Sequence, residues 1–143
     1  MTAEKIDRTL DIHQILAQGD DSGSARTGDY VHMNNYDQLM LIAQSATIGN
    51  ACTITVTQTT QDANGNSDSK ALSSGTATIV FSTAAADDNA LKVLLITVDQ
   101  MDKDNNFDWL EIKTSGAAAA VLGIVGVAGG ARYMEFPMPA MET

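Results

Sequence analysis

Cysteine, proline, aromatic rings and positive charge are all scarce in this chain. There is one cysteine, Cys52, so an internal disulfide and a thiolate metal cluster are both excluded. Cys52 falls in an alternating run, where a lone cysteine reads as a small buried apolar side chain. Aromatics make up 5% of the residues, so a core has to be assembled from Val, Ile, Leu, Met and Ala. The 2 prolines both stand in the tail PMPAMET, which reads as extended and irregular. Lys and Arg number 8 against 18 Asp and Glu, a net charge of −10. The closest basic pairs, Lys5/Arg8 and Lys103/Lys113, form no patch. Nucleic-acid affinity rests on clusters of such residues, so no nucleic acid is expected as a partner. Acidity of this size suits solubility without identifying a partner.

Long apolar runs are nearly missing too. The charge-free stretch from Thr114 to Ala131 reaches the minimum length of a membrane helix. Its composition is wrong for that role, because Gly and Ala fill most of it and glycine weakens a helix interior. The bulky residues Val121, Leu122, Ile124, Val125 and Val127 fit a short buried strand. No membrane partner is therefore expected. The start, MTAEKIDRTLDIHQ, has neither the basic opening nor the apolar middle of a signal peptide, which points to synthesis in a cytoplasm. With 143 residues and 44% apolar side chains, the chain can bury one core without metals or disulfides.

What is present is mostly strand. CTITVTQT alternates strictly, with Cys52, Ile54 and Val56 facing one way and Thr53, Thr55 and Thr57 the other. That is the pattern of a strand with one buried and one wet face. YVHM, QLMLIAQS, TATIVFST, LKVLLITV, FDWLEIKT, AVLGIVGV and ARYMEF are further candidates. LKVLLITV is apolar on both faces and is expected at the centre of a sheet. NNYD, QDANGNSDS and AAADDN carry turn chemistry, and Gly49–Asn50 reads as a hairpin turn. Ahead of the strands, Ile6, Leu10, His13, Leu16 and Ala17 recur near helical spacing. They predict a short helix over about 7–18 that ends at Gly19. GDDSGSARTGD then reads as a flexible loop. The expected organisation is an N-terminal arm and loop over 1–28, a sandwich over 29–136 and an extended tail over 137–143. Closely spaced strands with Gly, Asn and Asp turns define an all-β sandwich or barrel of eight or nine strands.

One stretch, VDQMDKDNNFDWLEI, needs its chemistry weighed. Asp102, Asp104, Asn106 and Asp108 match the first four ligand positions of an EF-hand loop. Phe107 stands where glycine is required and Lys113 where the bidentate glutamate is required, so an EF-hand is excluded. Paired carboxylates can also do acid–base work, but only in a cleft that separates their pKa values. The two histidines, His13 and His32, sit beside no nucleophile motif. GVAGGA lacks the Lys-Ser/Thr of a phosphate loop. The residues thus nominate no catalytic residue, no metal ligand and no cofactor, although a looser surface calcium site on Asp99–Asp108 stays open. The stretch reads as a connection between two strands, turned at Asp104, Asn105 and Asn106, with Trp109 in the core or partly buried.

The order of the segments carries a resemblance. NNYDQLMLIAQ, TITVTQTTQDANGNSDSKAL, LITVDQMDKDNNFDWLEIK and a late GGARY together resemble the small β-sandwich proteins encoded near the major capsid protein in tailed bacteriophages. The resemblance spans roughly Asp29 to Tyr133. It implies a jelly-roll-type sandwich and a head decoration, or cement, role on the outside of the capsid. The implied partners are the major capsid protein and further copies of the chain, as a dimer or trimer, and no catalytic residues come with it. A carbohydrate-binding module and a minor tail or fibre component are the alternatives, and a small hydrolase on the same fold is a third. Two expectations follow. The arm, Met1 to Gln18, either docks on a neighbour or packs on its own sandwich. The small-residue stretch AAAAVLGIVGVAGGA is either a core strand or a strand at an oligomer axis.

Overall fold

The computed structural model describes residues 10–20, 23–61, 67–116 and 119–130. These form nine strands: β1 (Leu10–Asp20), β2 (Val31–His32), β3 (Gln38–Ile48), β4 (Cys52–Thr59), β5 (Ser69–Lys70), β6 (Ala77–Phe81), β7 (Leu91–Thr97), β8 (Trp109–Thr114) and β9 (Ala120–Gly129). Sheet A has the order β1-β9-β3-β7. Sheet B has the order β2-β8-β4-β5, with β6 also on β4. Every named strand pair is antiparallel. First pairs with last and second with second-to-last, while β3–β9 and β4–β8 pairings lock the middle. This is the wrapped double sheet of a jelly roll, the sandwich expected from strand spacing.

Period-2 burial explains the core. In β4, Cys52, Ile54 and Val56 are buried and Thr53, Thr55 and Thr57 only half so. From sheet A, Leu39, Leu41, Leu122 and Ile124 meet Ile54, Phe81, Leu110 and Ile112 of sheet B in one continuous core. Each such side chain contributes roughly 2 kcal/mol by leaving water. Gly126 belongs to this packing, because a Cβ there would lie 2.6 Å from Ile15 Cδ1 and 3.1 Å from Leu39 Cδ1. The small residues of β9 thus serve the core on their inner side, and the charge-free stretch forms a strand as expected, though a longer one of 10 residues that is buried on that side only. No helix among the described residues is long and apolar enough to cross a membrane.

Four expectations are corrected. The helix over 7–18 is not formed where the chain is described: residues 10–18 lie within β1, paired with β9. The register breaks between Gln14 and Leu16 and between Leu16 and Gly19. These irregularities shift the phase of the alternation and so imitate helical spacing. The described part of the arm therefore packs on its own sandwich. The described part of the flexible loop is pinned as well. Arg26 donates to the carbonyls of Ala17 (3.1 Å), Gly19 (2.9 Å) and Leu122 (3.1 Å). Gly28 N–H donates to Ile112 O at 2.9 Å, in a spot where a Cβ would lie 2.6 Å from Ile15. Gly49–Asn50 does not close a hairpin, since β3 and β4 belong to different sheets. Gly49 N–H instead bonds Ala119 O at 2.9 Å. Finally, β7 is an edge strand rather than a central one. The strand ARYMEF and the tail lie outside the described residues, as does most of the QDANGNSDS loop.

Candidate interaction surface

The second apolar face of LKVLLITV is not inside the molecule. Ile96 is buried on the inner side of β7, whereas Leu91, Val93 and Leu95 are 61%, 52% and 54% exposed. Register carries this pattern across the whole sheet. Ile12, Val127, Met40 and Leu95 form one row over the four strands, and Gln14, Val125, Ile42 and Val93 the next. Gly123, Gln44 and Leu91 begin a third. None of these positions carries a charge, in a chain whose net charge is −10. Asp20, opposite Val121, enters only at the far corner. The face is not flat. β7 presents three exposed side chains along one edge. Between β1, β9 and β3 runs an open groove of ≈ 170 Å³, lined mainly by Leu16, Gln18, Ile42, Gln44 and Val125 over Gly123. A Cβ on Gly123 would come within 3.2 Å of the Gln18 backbone, so the glycine lets β1 and β9 approach closely there.

The two edges of this sheet are guarded. Lys92, on the inner side of β7, reaches Asp87 Oδ1 at 2.7 Å and donates to Val80 O at 2.6 Å. The Lys92 ammonium beside it, with the N–H and hydroxyl of Ser82, holds the Asp87 carboxyl down at about 2. An inward charge of this kind discourages pairing with a foreign strand, and the irregularities of β1 do the same at the opposite edge. Near that edge the Tyr36 hydroxyl donates to Asp11 Oδ2 at 2.7 Å. Burial, with the carboxylate beside it, pushes its pKa up to about 12.

Sheet B is finished differently. Its outer side carries Thr55, Thr57 and Thr78 of β4 and β6, with Glu111 and Lys113 of β8. The Glu111 carboxylate is nearly covered and fully engaged. It receives Tyr30 OH at 2.9 Å, Ser69 OH at 3.2 Å, Thr57 OH at 3.4 Å and the Lys113 ammonium at 2.8 Å. Burial pushes this carboxyl up, but Lys113 and the hydroxyls outweigh it and leave it below the usual range. Trp109, partly buried as expected, stacks on His32 with ring centres 4.3 Å apart.

The VDQMDKDNNFDWLEI stretch connects the two sheets, running from β7 to β8. It makes two 3₁₀ turns, Val98–Gln100 and Lys103–Asn105, and Asn106 adopts the left-handed conformation with φ 64°. Asp102 is ion-paired with Lys70 and accepts from Asn105 Nδ2 at 2.8 Å. The Lys70 and Asn105 hydrogen bonds lower its pKa. Lys103 donates to Met33 O at 3.0 Å. The acids are thus spread along a connection rather than gathered, and no three potential metal ligands come together among the described residues.

Set against known proteins, no family model and no curated protein matches the chain. Among solved structures it is similar to a chain from Bacillus endospore appendages, a family of disulfide-linked pili. That match has 11% identity, a TM-score of 0.45, and covers 86% of this chain and 89% of that one. A chain of the infectious bursal disease virus Gx strain matches at 11% identity and a TM-score of 0.25, covering 83% of this chain and 40% of that one. A chain of the Gt strain matches at 9% identity and a TM-score of 0.23, covering 83% and 41%.

Proposed function

We propose that this is a non-enzymatic structural protein of the virion, binding the outside of a tailed-phage capsid and stabilising it as a head decoration protein. The observation that carries the reading is the uncharged apolar outer face of sheet A. Such a face left in water is an interaction site or an aggregation hazard, and a protein built to assemble has a use for it. Its partners are then the major capsid protein and further copies of itself, and its mechanism is contact multiplied over a lattice.

Quantitative mass spectrometry of gradient-purified particles tests the reading. A copy number comparable with the major capsid protein is the expected result. A few copies per particle would move the protein to the tail or a fibre. Absence from particles would overturn the virion role. The stacked Trp109–His32 pair and the exposed Tyr30 on sheet B would then make a carbohydrate-binding module the reading to test, on a glycan array.

A further inference from the structure

We propose that the outer face of sheet A is closed by the same face of a second copy, packed sheet on sheet about a twofold axis that lies in the interface and runs along the strands between β9 and β3. The inference rests on the reading that the protein assembles, and it names the occupant of the face.

Charge selects the partner. Two copies, each with a net charge of −10, repel one another wherever acids meet. The three rows of sheet A offer a meeting place with no charge on either side. A basic partner would find no carboxylate there to pair with, so the face favours a partner that is itself uncharged and apolar at the contact, as this face is. The edges are excluded as the joint, because Lys92 points inward at one and the register of β1 is broken at the other. That leaves the face.

Shape is self-complementary in the same sense. The proposed axis lays β7 of each copy over β1 of its partner, and β3 over β9. Leu91 and Val93 then lie over the β1 wall of the partner's groove, and Ile42 and Gln44 lie over its β9 floor at Val125 and Gly123, so each copy gives what the other receives, as an isologous contact requires. Strands in the two sheets run nearly aligned, the usual arrangement in sheet-on-sheet packing about 10 Å apart. Four strands about 4.8 Å apart, each contributing about seven residues of about 3.4 Å, give roughly 450 Å² of flat area per copy. Side-chain relief brings the total accessible area buried to about 1,000 Å² or more, which is where specific interfaces begin.

The test is the oligomeric state of the full chain by light scattering and native mass spectrometry. The wild type is expected to be a dimer. Val93→Asp is expected to be a monomer with an unchanged circular-dichroism spectrum and a melt that no longer depends on protein concentration. Thr55→Asp, on the outer side of sheet B, is expected to remain a dimer. A double variant, Gln14→Cys with Val93→Cys, is read independently of stability. Those positions lie three strand spacings apart in one chain, roughly 14 Å, too far for an internal disulfide, but face each other across the proposed axis. A bis-maleimide too short to span that internal distance, but long enough to bridge sheets about 10 Å apart, should give a covalent dimer. A monomeric wild type, a dimer that survives Val93→Asp, or a dimer with no cross-link in the double variant would each overturn the inference. Particle binding separates it from the functional reading. If Val93→Asp stays dimeric yet no longer binds particles, the face meets the shell: the decoration role stands and this inference falls. If the face dimerises a protein that particles do not contain, the inference stands and the decoration role falls.

Discussion

The outer sides of the two sheets are built on the same alternation, and they differ only in what fills the outward positions. Sheet B puts mostly threonines, Glu111 and Lys113 there, with Val80 at one side, and ties Glu111 to Tyr30, Ser69 and Lys113. Sheet A puts mainly Ile, Val, Leu and Met there, with Gln14 and Gln44 among them and no charge in the three rows. One sheet is finished for water, the other for contact. The alternation that builds a sandwich therefore does not decide how the sandwich is used; the second set of residues, the one facing away from the core, does that.

The largest way to break the comparison is to take a strand from sheet A. Deleting residues 1–18 removes most of β1, leaves β9 as an edge and uncovers the core at Ile15. A loss of about 5 kcal/mol or more is expected, comparable with the whole margin of a marginal domain, and urea unfolding measures it. Retained stability would mean that β1 is an accessory strand.

Next comes the network on sheet B. Glu111→Ala leaves Tyr30, Ser69 and Lys113 without their shared acceptor and is expected to cost about 2 kcal/mol, the scale of hydrogen bonds to a charged group. Glu111→Gln, which keeps part of the bonding, should cost less. Val93→Asp on sheet A should change the stability of the isolated subunit by no more than about 0.5 kcal/mol, as exposed substitutions do. Equal effects of the Glu111 and Val93 changes, compared in urea melts, would erase the distinction between the two faces.

Acid and alkali probe the guarded edges of sheet A. Asp87 titrates at about 2 in the fold against an ordinary 3.8, so its contribution is complete above 3.8 and is lost as pH falls toward 2. Tyr36 runs the other way. Its hydroxyl is raised from 10.0 to about 12, so its contribution is complete below 10 and is lost as pH rises toward 12. The smallest expected effect is the flattening of that alkaline limb in Tyr36→Phe, read from melting temperature against pH.

The strands of sheet B and the core were legible because Cys52, Ile54 and Val56 alternate with threonine, a pattern that only a half-buried strand explains. LKVLLITV was legible as a strand and misleading as to place. An apolar outward face looks the same whether a sheet, a helix or another molecule covers it, so composition alone puts β7 in the middle. β1 was hidden because two register breaks in eleven residues destroy the period by which strands are recognised. Gly49–Asn50 carried a true turn signal, but turn chemistry says nothing about which sheet receives the next strand. The three rows of the candidate face could not be seen at all before pairing was known, since Ile12, Val127, Met40 and Leu95 are neighbours only through register.

The pairing of β1 with β9 also sets a schedule for biosynthesis. Of the described strands a nascent chain presents Leu10–Asp20 first, yet its partner, Ala120–Gly129, is made last. Until β9 has emerged, β1 has no ladder, β3 lacks one of its two neighbours, and the Leu122 carbonyl that Arg26 grips is not there. Folding of the sandwich is therefore postponed until β9 has been made and is governed by closing a long loop, a slow step. During that interval the apolar strands of sheet A are open on both sides and prone to aggregate. The ribosome's pace between β7 and β9, and any chaperone that shields β3 and β7 meanwhile, would bear on how much protein survives to assemble.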